Sequence, residues 1–313
     1  MTQPSTEWTE KITAAEPECF AHETETLSAI QQDRTHKYGQ SGRGFHRKPL
    51  LALRGRFEVL PDLPPYARFG LFSRPGSHEV WIRTSNGTFD IQADSIPDIR
   101  GFALKVFGVE GPDARDGSPA WCQDFLMIQI DPFGLTSEQF TALSAQLANG
   151  DIPPSPEAAQ RLAISGFATT TFNTTTPFTV GPYAARARLL PPEGEVPDPD
   201  ADNDWAADMF ARLPLTYRFQ LQFYVNESDT PIEDATKQWP EASAPWVTVA
   251  DLTIPEQQLG AGFAAQVEQI SFAPWNALAD HRPLGEVNRA RRVAMDRSVA
   301  DRNGTYTVAA STP

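Results

Sequence analysis

From residue 50 onward the chain is a succession of short segments that favour extended backbone, each closed off by proline or glycine. Residues 51–59, 79–85, 101–109 and 124–130 read as strands by β-propensity and boundary signals. The cleanest alternation follows: Tyr217, Phe219, Leu221, Phe223 and Val225 are apolar, with Arg218, Gln220 and Gln222 between them. A period of two puts one set of side chains on a single face of a sheet. Residues 246–254, preceded by Pro245, form a further strand. At least six strands in one chain call for a large antiparallel sheet or a barrel. The 28 prolines suit loops and sharp strand ends rather than a helical bundle.

Helical signals are fewer. Residues 1–45 form an acidic helical arm with a polar, glycine-containing hinge at 37–44. Residues 136–149 open on Thr-Ser-Glu-Gln and carry apolar Phe140, Leu143 and Leu147. Further helices are predicted at 156–164 and 206–213. The last, 285–300, is arginine-rich on one side and apolar at Val287, Ala290 and Ala294. The acidic, proline-rich stretch 191–204 reads as a solvated loop. With no internal repeat, the expectation is an arm (1–45) followed by one main domain (46–313).

Composition excludes several function classes. Lys plus Arg is 26 against 40 for Asp plus Glu, a net charge of −14. Such a field repels phosphate backbones and anionic lipid, so neither nucleic acid nor a membrane surface is an expected partner. No apolar run approaches the ~18 residues of a membrane span, and acidic residues 1–30 do not resemble a secretory signal. The two cysteines, Cys19 and Cys122, form no CxxC pair. A disulfide framework or zinc site is therefore not expected, and a reducing cytoplasm is the natural compartment. Glycine-rich phosphate loops, HExxH and GxSxG are all missing.

Three blocks between residues 42 and 111 carry the chemistry. They are Arg43-Gly-Phe-His46, Trp81-Ile-Arg83-Thr-Ser85-Asn86, and Pro97-Asp-Ile-Arg100-Gly-Phe-Ala-Leu-Lys105. In this order and spacing they resemble the heme catalase superfamily, and its small catalase-related branch most closely. Gln123-Asp-Phe-Leu-Met-Ile128, Pro231-Ile-Glu-Asp-Ala-Thr236, Arg282-Pro-Leu-Gly285 and Asn288-Arg-Ala-Arg-Arg292 extend the resemblance, which runs from residue 40 to 300. It implies an α+β fold: a closed antiparallel β-barrel with surrounding helices and an N-terminal arm.

The resemblance also implies roles. His46 matches the distal histidine, which moves a proton between peroxide oxygens as a neutral imidazole. Ser85 matches the serine that orients that ring. Arg43, Arg83 and Arg291 match arginines that pair with the propionates of heme b, a task suited to a permanently charged fork. His22, His36, His78 and His281 have no such support and read as surface residues.

Two positions depart from the pattern. Met295 stands four residues after Arg291, where a tyrosinate would ligate the iron, and Tyr306 lies eleven residues further on. Gln129 stands where an auxiliary asparagine is expected. Arg47, Pro49 and residues 50–53 replace the small, glycine-rich text that usually follows the histidine. A neutral thioether favours reduced iron, whereas an anionic donor stabilises high-valent iron. The implied activity is thus a heme-dependent oxidoreductase acting on a peroxide or an organic or lipid hydroperoxide, with weak or no true catalase activity. The alternative is a heme-free catalase-fold protein, either a small-molecule binding module or a non-redox enzyme of specialised metabolism, whose arginines clamp an anion. A homo-oligomer is compatible with either reading.

Overall fold

The computed structural model describes residues 3–151, 166–198, 201 and 204–307. Nine strands form one antiparallel sheet: β1 (Pro49–Val59), β2 (Gly76–Asn86), β3 (Arg100–Phe107), β4 (Cys122–Ile128), β5 (Phe172–Asn173), β6 (Phe178–Val180), β7 (Tyr183–Leu190), β8 (Leu215–Phe223) and β9 (Trp246–Ile254). Their order is β5-β4-β3-β2-β1-β9-β8-β7, and β5 pairs back onto β7, so eight strands close into a barrel. Strand β6 pairs with the other half of the same β7 edge. Closure leaves no long unpaired edge, which is how an all-antiparallel sheet of this size avoids pairing with a second chain. The expected barrel is borne out, and all six expected strands are present.

Five α-helices are described: α1 (Glu16–Tyr38), α2 (Ser137–Asn149), α3 (Trp205–Ala211), α4 (Ala261–Gln269) and α5 (Glu286–Asp301). The helix expected at 156–164 lies outside the described residues. Helix α2 starts on a capping box, in which Thr136 Oγ1 accepts from the Gln139 N–H and Gln139 Oε1 accepts from the Thr136 N–H. Helix α1 carries Pro17 and two glutamates in its first turn, places His36 and Lys37 in its last, and ends on Gly39 at φ 60°. No described helix is long and apolar enough to cross a membrane.

Alternation decides what faces the barrel interior. From β1 come Leu53 and Phe57, from β2 Val80 and Ile82, from β3 Phe102 and Leu104, and from β8 Tyr217 and Phe219, all fully buried. Aromatic rings fill the space between them. Phe219 lies 5.1 Å from Phe57 and 4.8 Å from Phe125, and Phe102 lies 5.2 Å from Phe172 and 5.4 Å from Tyr217. Each such ring stabilises the fold by about 1.5–3 kcal/mol through burial. The barrel is therefore a packed core, and ligand space must lie outside it.

Outside it, α1, α2 and α5 pack on one another. Charge fastens the N-terminal segment to α5: Arg289 pairs with Glu10 and Glu16, and with Glu233 beside them. Ser28 Oγ of α1 donates to Asp301 Oδ2 of α5 at 2.6 Å.

Candidate active site

Strands β2, β3 and β4 turn their other side chains outward, and register stacks these in rows. Ser85 stands opposite Gly101, and Gly101 opposite Ile128; Arg83 stands opposite Ala103, and Ala103 opposite Leu126. These two rows form the floor of a cavity of about 270 Å³. On α5, Val287, Arg291, Ala294, Met295 and Ser298 line it, a spacing of three and four residues that marks one helix face. Glu23, Leu27 and Gln31 do the same on α1, and Ser137, Phe140 and Thr141 on α2.

His46 enters this cavity from the turn before β1. Its backbone adopts φ 53°, in the left-handed region, a conformation costing about 1–2 kcal/mol for a residue with a side chain. Two backbone bonds hold the turn there: His46 N–H donates to Gly87 O at 2.9 Å, and Arg47 N–H to Thr88 O at 3.2 Å. The ring packs on Gly101, where a Cβ would approach Nδ1 to 2.4 Å. Only glycine at 101 leaves room for the imidazole. Nδ1 lies 3.0 Å from Ser85 Oγ. Desolvation, with the charges of Arg83, Arg291 and Arg43 adding to it, lowers the pKa to about 3. His46 is therefore a neutral imidazole at any physiological pH.

The arginines divide into two groups. Arg83 grips Glu268 of α4 with Nε to Oε1 at 2.6 Å and Nη2 to Oε2 at 3.1 Å, and Nη2 also donates to His46 O at 2.7 Å. Arg43 Nε lies 3.7 Å from Glu268 Oε2, and its Nη2 donates to the Ile270 carbonyl at 2.8 Å. Arg302, just past α5, donates to the Glu268 and Gln269 carbonyls at 2.7 and 3.0 Å. Arg43, Arg83 and Arg302 thus gather at Glu268. Arg291 stands outside this group: its Nη1 donates to Thr176 Oγ1 and Asn288 Oδ1, both at 3.4 Å. Burial lowers its pKa to about 10.

Of the expected site residues, His46, Ser85, Arg43, Arg83, Arg291 and Met295 all line the cavity. Gln129 does not; its Oε1 accepts from the Arg100 N–H at 3.0 Å, along the β3–β4 edge. Arg302 and Glu268 were not anticipated. Neither belongs to a spaced motif, and they meet Arg43 and Arg83 only through the fold. His281, expected at the surface, is instead 1% exposed. Its Nε2 accepts from the Leu71 N–H at 2.9 Å and its Nδ1 donates to Thr179 O at 3.1 Å, which makes burial affordable for a neutral ring.

Among the described residues no cluster of three or more His, Cys, Asp or Glu side chains converges to hold a metal ion by itself. The lining has the chemistry for an organic cofactor: Phe45, Ile99, Phe133 and Phe140 supply apolar wall, Arg43, Arg83, Arg291 and Arg302 supply guanidinium groups, and His46 and Met295 supply nitrogen and sulfur donors.

No protein-family model matches the chain, and no curated protein matches it. Among solved structures it is similar to catalase A from Saccharomyces cerevisiae, at 17% sequence identity and a TM-score of 0.69, over 97% of this chain and 68% of that one. At that identity the likeness is one of architecture. The chain has the catalase fold.

Proposed function

We propose that the protein is a heme-binding, catalase-related oxidoreductase of the small branch, acting on a peroxide or an organic hydroperoxide with little true catalase activity. One observation carries this reading: a neutral imidazole, oriented by a serine, faces a largely apolar cavity that several guanidinium groups also line. Heme b, when bound, supplies a redox-active iron. The chain's own residues do the rest. Neutral His46, held through Nδ1 by Ser85, is free to take and return a substrate proton at Nε2. Arg43, Arg83 and Arg302 offer charge to cofactor carboxylates, which must share it with Glu268. Met295, one helical turn after Arg291, offers a thioether where tyrosinate is expected, and so contributes no negative charge. Two free thiols, Cys19 exposed and Cys122 buried, suit a cytoplasmic location.

A second reading draws on a specific observation. Glu268 already meets Arg83 and Arg43, and no tyrosine, cysteine or second histidine lines the cavity among the described residues. Both features suit a heme-free protein that binds another anionic small molecule.

Heme titration followed by absorption decides between them. Stoichiometric binding with a Soret band is expected, and Met295→Tyr should shift that band toward a high-spin, phenolate-bound form. A protein that stays colourless in excess heme would move the assignment to the second reading. Hydrogen peroxide disproportionation near ~10⁸ M⁻¹s⁻¹ would overturn the expectation of weak catalase activity.

A further inference from the structure

Helix α1 brings a carboxyl group to the cavity that neither reading uses. Glu23 is 6% exposed and lines the cavity wall. Its Oε1 lies 3.0 Å from Ser137 Oγ at the start of α2. The same hydroxyl also bonds Glu286 Oε1 at the start of α5, and the Ser137 N–H donates to Glu286 Oε2 at 3.3 Å. A serine hydroxyl has one proton to give and lone pairs to accept with. Set between two carboxyl groups, it can make a strong, linear bond to only one. A proton on the other would let that carboxyl donate to the serine and complete both bonds.

Placement says which. Glu286 is partly exposed, accepts from the Ser137 backbone N–H, and is the first residue of α5, where the positive end of the helix favours an anion. Glu23 has Ser137 as its one hydrogen-bond partner among the described residues. We propose that Glu23, Ser137 and Glu286 form a one-proton relay, with Glu23 as a neutral acid at the cavity and Glu286 as its charged outer end.

The relay conserves charge at each step. When a group in the cavity gives a proton to Glu23 Oε2, the proton on Oε1 passes to Ser137 Oγ, and the serine's own proton passes to Glu286 Oε1. The reverse sequence delivers a proton inward. The groups around Glu23 agree with a neutral resting state. Burial raises its pKa most, Glu286 of α5 and Glu138 of α2 raise it further, and Ser137 and His22 oppose them. Arg297, which also faces the cavity, is engaged by Glu25 and Asp301.

Infrared spectra of the full chain in deuterated buffer, without added cofactor, test this independently of heme. At neutral pH the protein should show a carboxylic-acid C=O stretch that Glu23→Gln removes, the amide being close in shape to the neutral acid. Ser137→Ala should move that band to the position of a less hydrogen-bonded acid. Glu286→Gln should lower the pH at which the band disappears by about one unit, the coupling expected of groups that share a proton. Superimposable spectra for the parent and Glu23→Gln would overturn the proposal. So would a band whose midpoint and position ignore both Ser137→Ala and Glu286→Gln, because Glu23 would then be an isolated buried acid. A failed heme titration leaves each of these outcomes readable.

Discussion

Strands β2, β3 and β4 have two faces with the same register and different chemistry, the outer one setting buried polar groups among apolar neighbours. Inside, Val80, Ile82, Phe102, Leu104, Phe125 and Met127 are at most 3% exposed and wholly apolar. Outside, Arg83, Ser85, Lys105 and Asp124 are as deeply buried. The inner face needs only area and shape, since dispersion and dehydration are non-directional. The outer face needs a named partner for every polar atom. Lys105 Nζ meets Asp124 at 2.6 Å, and Asp124 Oδ2 also accepts from the Ala273 N–H at 3.0 Å and Asn276 Nδ2 at 2.8 Å. Arg83 has Glu268, and Ser85 has His46. The inner face therefore holds the molecule together, while the outer face fixes where a reactive group stands.

Substitutions on the two sides should separate stability from chemistry. His46→Ala is expected to lower peroxide or hydroperoxide turnover of the heme-loaded protein about 10²–10⁴-fold, with the unfolding midpoint above pH ~7 little changed. Phe125→Ala, inside, should cost about 3–5 kcal/mol in denaturant unfolding while leaving the turnover of the folded, heme-loaded fraction intact. Equal effects of the two variants on both measurements would dissolve the distinction. Gly101→Ala is a smaller and sharper break. The added methyl would crowd the imidazole and lie 2.9 Å from Ser85 Oγ. It should cost about 1–3 kcal/mol and move the ring resonances of His46, whereas Ala103→Gly, one row along, should leave those resonances in place.

The two faces were also unequally legible. The inner face of β8 announces itself by period two, and β1 to β4 and β9 are legible from β-propensity and their boundary residues. Strand β7 was missed although Ala185, Ala187 and Leu189 are buried and alternate with Arg186 and Arg188. Alanine and arginine favour helices, and here closure of the barrel overrides that preference. On the outer face, His46, Arg83 and Ser85 could be found because they sit in contiguous text. Glu268 could not, since one carboxylate among 40 acidic residues gains its role only when α4 folds across β2. His281 was misplaced for a related reason: its partners are backbone groups of Leu71 and Thr179, which no sequence pattern advertises.

The smallest expected effect uses the two buried histidines to separate the faces by pH. Burial lowers His46 to about 3 and His281 to about 4, from an ordinary value of 6.5. Above that ordinary value the ring is neutral folded and unfolded, and neither histidine makes stability depend on pH. As pH falls below it, the unfolded chain takes up protons that the folded chain refuses. Each ring then removes stability at about 1.4 kcal/mol per pH unit. Glu23 acts in the opposite sense, because a carboxyl raised by burial favours the folded state at low pH and loses that advantage as pH rises past its unfolded value. Urea midpoints of parent, His46→Ala and His281→Gln between pH 5 and 7.5 should therefore show both variants losing the acid-side slope by the same amount. Turnover separates them. His281→Gln should keep it, since among the described residues that ring's hydrogen bonds go to backbone, while His46→Ala should not. An unchanged acid-side slope in either variant would mean that its ring is protonated in the folded protein, and for His46 that would remove the proton acceptor from the cavity.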